Sequence, residues 1–111
     1  MYIAEAHAAD EWPINSTRCN GPGNSVRAPT TLGERQAVAR RMADALGLGA
    51  LPVLCDAMDD AFLHAYAAWP VRLFGVSRNG RLGAVAQPED AAFLLPPLRD
   101  WLLRACAAVQ Y

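Results

Sequence analysis

Three observations predict an α/β fold, with a mainly parallel sheet, a C-terminal antiparallel hairpin and flanking helices. Strand-like and helix-like runs alternate from Met1 to Trp69. Asn79-Gly80 then stands between two strand-like runs, the strongest short hairpin signal. A last segment with an apolar helical stripe closes the chain. The predicted order is strand, helix, strand, helix, proline, hairpin, helix.

Residues 1–7 read as a short strand opening with Tyr2 and Ile3. Residues 13–29 are dense in turn formers, including Asn15, Ser16, Asn20, Gly21, Pro22 and Gly23, and predict a long irregular loop. Cys19 lies in this loop as its accessible thiol, either a resolving thiol or incidental. Residues 31–46 predict the clearest helix. Thr31 with Glu34 makes a capping box, and Gly47 and Gly49 supply the stop. Its stripe is Leu32, Val38, Met42, Ala45 and Leu46, with Arg35, Arg40, Arg41 and Asp44 turned outward.

Residues 51–55 predict a buried parallel strand, with Cys55 as a small core residue whose redox role stays open. Asp59 or Asp60 is expected to cap a second helix running to Trp69. Phe62, Leu63, Tyr66 and Trp69 are its buried stripe, and His64 is off the stripe and exposed. Pro70 ends that helix. Runs 71–77 and 81–86 form the hairpin, and residues 88–95 connect it to a final helix over 97–109. That helix buries Leu98, Trp101, Leu102 and Ala105, with Cys106 packed.

The chain has 111 residues, 53% hydrophobic and 19% charged, with a net charge of −1, which suits one globular domain with a modest core. The near-zero charge argues against nucleic acid, whose binding needs a basic surface. No apolar run reaches the length of a membrane span, and no signal peptide pattern opens the chain. Cys19, Cys55 and Cys106 form no Cys-x-x-Cys pair. That argues against a disulfide framework or a zinc site and for a reducing compartment, cytoplasm or organelle interior. No metal site is expected.

Chemistry concentrates in residues 2–12, YIAEAHAADEW, where Glu5, His7, Asp10 and Glu11 crowd together. In a strand, Glu5 and His7 share a face at its C-terminal end, where open α/β sheets hold ligands. A carboxylate beside an imidazole makes a proton donor or relay near neutral pH. The same spacing also describes a strand that ends in solvated loop residues, and both readings stand on spacing alone.

YIAEAHAADEW resembles the iodothyronine deiodinase signature, in which a strand runs into Glu-Ala-His, a small residue, Asp, one more residue and Trp. Tyr2, Glu5, Ala6, His7, Asp10 and Trp12 match it, and Glu11 stands where most members have Gly. Glu34-Arg35, PVLCDAMD at 52–59 and AYAAWPVRLFGV at 65–76 agree in order. The resemblance implies a thioredoxin-like fold, incomplete at the N-terminus, forming one partial domain over residues 1–111. It implies Glu5 and His7 as catalytic proton relay, and Tyr2, His7 and Arg72 as substrate-binding residues. Trp12 and Pro70 would border the site, with Pro70 in the place of a proline that is typically cis. A guanidinium at Arg72 suits a phenolate or carboxylate; an edge-strand arginine facing water is the other reading.

The implied reaction is reductive dehalogenation of a small aromatic substrate by a selenol or thiol. That nucleophile is expected from an upstream segment, with an external thiol as reductant and no bound cofactor. Two departures accompany the match: residues 87–95 lack the Gly-rich loop that follows the family hairpin, and a second histidine before the first helix is replaced near Pro29. Strands left without the upstream neighbour are expected to re-pair or to pair with another chain, a homodimer included. The alternatives are a general thiol-redox protein acting on thiol or disulfide substrates, or a catalytically inactive binding module or fragment.

Overall fold

The structure, a computed structural model, describes residues 1–14, 23, 25–89 and 92–107. It is a mixed α/β protein of helices and small antiparallel sheets. The chain forms two compact units, Met1–Pro70 and Val71–Tyr111.

In the first unit, helix α1 (Leu32–Ala45) begins as its sequence dictates. Thr31 accepts from the Glu34 N–H, and the Glu34 carboxylate reaches back to the Thr30 and Thr31 N–H groups at 2.8 and 3.2 Å. Both arms of the capping box are therefore closed, satisfying donors the first turn leaves without intrahelical partners. Past the Leu46 cap, Gly47 takes φ +65, a left-handed conformation natural to glycine.

The buried face of α1 is not the predicted apolar stripe. Arg35 and Ala39 are its buried residues, while Leu32 and Leu46 are exposed. Arg35, expected to face water, is 4% exposed because acceptors await its guanidinium. Nη1 donates to the Ala57 carbonyl at 2.6 Å and the Asp56 carbonyl at 3.4 Å, and pairs with Asp60 at 2.7 Å. A cation leaves water only where such partners compensate it.

Helix α2 (Ala61–Tyr66) is shorter than predicted. Asp60 holds the N-cap position in a left-handed conformation (φ 54) and makes no side-chain cap bond. Asp56 caps the helix instead, accepting from Phe62 N–H at 3.1 Å and Leu63 N–H at 2.9 Å, and from Ala57 N–H at 3.0 Å. Phe62 and Tyr66 stack at 4.4 Å as the spacing suggested, but Ala67 turns left-handed and ends the helix. Trp69 therefore lies outside it. The Trp69–Pro70 peptide is cis. His64 is exposed, as expected.

The two strands predicted over 1–7 and 51–55 contract to one parallel bridge between Tyr2 and Cys55. Tyr2 N–H donates to Leu54 O at 2.7 Å, and Asp56 N–H donates to Tyr2 O at 2.8 Å. Pro52 has no N–H to extend a ladder, and Ala4 and Ala6 are weak strand formers. Leu51 and Leu54, expected in a core, are 63% and 62% exposed. Cys55 is half-buried, and burial pushes its thiol upward in pKa. Cys19 lies outside the described residues.

In the second unit, β1 (Leu73–Val76) pairs antiparallel with β2 (Leu82–Ala86), confirming the hairpin. Its loop is longer than the two-residue turn that Asn-Gly most often makes. Ser77 N–H donates to Arg81 O, Gly80 N–H to Ser77 O, and Gly80 alone in the turn adopts positive φ (+78). The connector over 88–95 holds a small ladder of its own, β3 (Pro88–Glu89) with β4 (Ala92–Phe93).

Helix α3 (Pro96–Ala107) packs on the hairpin through Trp101. A Cβ at Gly75 or Gly83 would lie 2.5 Å from the Trp101 ring, so both glycines are needed for this approach. Leu98, Trp101 and Ala105 are half-buried, but Leu102 is 48% exposed. Cys106 is exposed rather than packed. The predicted last turn, through Val109, lies outside the described residues. Among the described residues, no helix is long and apolar enough to cross a membrane.

Candidate active site

The signature segment folds back on itself rather than running on as a strand. Tyr2 Oη donates to Glu5 Oε2 at 2.5 Å. In an extended strand residues three apart face opposite ways, so this bond marks a chain already turning. Burial, reinforced by the Glu5 carboxylate as acceptor and neighbouring charge, holds the Tyr2 phenol protonated well above its ordinary range. Glu5 therefore pairs with Tyr2, and the expected alignment of Glu5 with His7 on one strand face does not form.

His7 sits in an aromatic setting instead. A tight turn over residues 8–12 follows it, in which the buried Ala8 carbonyl accepts from Glu11 N–H at 3.3 Å and Trp12 N–H at 3.1 Å. The turn returns Trp12 to His7, with ring centroids 5.0 Å apart and planes tilted by 55°. Trp12 stacks in turn on Trp69, centroids 5.3 Å apart and planes 21° from parallel. His7 Nδ1 is buried and, among the described residues, has no hydrogen-bond partner.

Asp10 fastens the turn from outside. It accepts from Ala28 N–H at 2.8 Å and pairs with Arg27 Nε at 3.1 Å, while Ala9 N–H donates to Val26 O. The Ala28 N–H, ahead of the Arg27 guanidinium, holds its carboxyl below the usual range.

The structure thus brings Tyr2 to Glu5 and His7 to Trp12. Arg72 belongs to the second unit, half-buried, with Nη1 3.5 Å from the Val71 carbonyl. Pro70 closes the first unit immediately after Trp69. Sequence reasoning missed Trp69, which it placed in a helical core stripe. The signal was present: a residue before proline is driven out of helical conformation. Among the described residues, no cluster of three or more His, Cys, Asp or Glu side chains is arranged to hold a metal ion.

The signature segment thus holds an imidazole against an indole and, separately, a phenol paired with a carboxylate. The iodothyronine deiodinase family model matches residues 1–105. The type I iodothyronine deiodinase of Xenopus laevis is 34% identical over 101 residues, covering 86% of this chain and 37% of that protein. No solved structure matches the chain. The chain belongs to the iodothyronine deiodinase family. It spans little more than a third of the length of the curated relative it matches.

Proposed function

We propose that this chain carries the proton-delivering part of a reductive dehalogenase acting on an iodothyronine-type aromatic substrate. The observation that carries the reading is His7. It stands in the family motif, and its ring is held against Trp12.

A selenolate or thiolate, supplied from an upstream segment of the family domain, attacks the halogen. The carbon–halogen bond breaks, a selenium– or sulfur–halogen bond forms, and the ring carbon takes a proton from His7. Glu5, which accepts the Tyr2 hydroxyl in this structure, is the proposed second member of the relay that returns a proton to His7. The substrate gains two electrons and the nucleophile loses two. Two external thiols then become a disulfide, release halide and restore the nucleophile. This thiol chemistry calls for a reducing compartment. Arg72 is the proposed partner of the substrate's phenolate or carboxylate. The Tyr2–Cys55 parallel bridge supports a thioredoxin-like sheet as the family framework.

Equilibrium binding of thyroxine to the chain, followed by quenching of indole fluorescence, tests the substrate class. Losing a charge-assisted hydrogen bond of about 1.5–3 kcal/mol, Arg72→Ala should weaken binding roughly tenfold or more. Thyroxine binding that is indifferent to both Arg72→Ala and His7→Ala would remove the iodothyronine from the account.

A further inference from the structure

We infer that Trp69 is a positioning residue for His7, acting through Trp12. The inference rests on the reading of His7 as proton donor but adds a residue outside the signature motif. A proton donor must hold one orientation toward the reacting carbon. Side chains usually fix an imidazole by bonding the nitrogen that does not react. Among the described residues His7 lacks that device, since its buried Nδ1 has no partner there. The ring contact that orients it is with Trp12.

Trp12 cannot set that orientation alone. It is 54% exposed and its backbone is held by a short turn, so its side chain needs a second surface. Trp69 supplies it. The two indoles lie nearly parallel at 5.3 Å, an offset stack of the favoured kind. Trp69 comes from a segment 57 residues further on (69 − 12), anchored by the 5%-exposed Ala68, whose N–H donates to Leu63 O at 3.2 Å. The order Trp69, Trp12, His7 transmits the position of one part of the unit to the imidazole of another.

Proton NMR of the His7 ring tests this, because a ring held over an indole carries a ring-current displacement. His64, exposed on α2, is the internal reference, and His64→Gln assigns the signals. In the unmodified chain, cross-relaxation must run from Trp69 to Trp12 and from Trp12 to His7; its absence overturns the inference. Trp69→Leu should return the His7 resonances most of the way toward those of a free imidazole, whereas Trp69→Phe should keep them near the native positions. Identical His7 resonances in the two variants would overturn it too. The readout involves no dehalogenation, so the two readings fail separately. A protein that also carries the upstream nucleophile segment, inert with the ring coupling intact, counts against the dehalogenase alone. Full halide release by that longer protein with Trp69→Leu, its His7 displacement lost, counts against positioning alone.

Discussion

Asp56 and Arg35 show how much of this chain rests on two buried side chains. Asp56, 4% exposed, serves three backbone N–H groups and faces the Arg35 guanidinium. Burial pushes its carboxyl upward in pKa, but the Leu63, Phe62 and Ala57 donors and Arg35 outweigh that and hold it below the usual carboxylate range. A carboxyl depressed in the folded state contributes stability above its unfolded pKa of about 4, and that contribution is lost as pH falls through the lower folded value. Urea midpoints measured against pH should therefore fall on acidification, and Asp56→Asn should flatten that limb. At pH 7, Asp56→Ala should cost about 2 kcal/mol, the scale of a lost cap with its orphaned donors. Arg35→Ala strips Asp60 of its ion-pair partner and should cost about 3 kcal/mol by the same denaturation measurement. Neither role was legible in the sequence. Arg35 looked solvent-facing because its acceptors lie 21 to 25 residues away. Asp56 was passed over for Asp59 and Asp60 because its cap spans an intervening turn.

At the scale of elements, what is local was legible and what is paired at long range was not. The capping box on α1 and the Asn-Gly hairpin are determined within a few residues, and both stand where the sequence put them. The strands over 1–7 and 51–55 depend on partners remote in sequence, and among the described residues they meet at one bridge. The hairpin adds a constraint that periodicity does not express: Trp101 lies against Gly75 and Gly83. Gly75→Ala or Gly83→Ala forces a Cβ into that ring and should cost about 1–3 kcal/mol, as overpacking does. The check is a lowered melting temperature with altered indole fluorescence, against little change for Gly33→Ala, where nothing lies within 4 Å.

Across the whole molecule, the signature motif was readable as a motif but not as a geometry. The resemblance marks its residues, yet the strand that was to align Glu5 with His7 is a turn, and the partners are exchanged: Tyr2 with Glu5, Trp12 with His7. The family assignment survives this because it rests on the match over residues 1–105 rather than on any strand. The central claim is that His7 delivers the proton in a reductive dehalogenation. Its most direct test is iodide release from an iodothyronine with a dithiol reductant. The chain would be extended by fusing the strand and Cys or selenocysteine segment of a family relative ahead of residue 1, with and without His7→Ala. The account predicts release by the extended protein, lowered about 100-fold or more by His7→Ala, the scale of lost general acid catalysis. A folded extended protein that reduces disulfides but releases no iodide would contradict it and place the chain among general thiol-redox proteins.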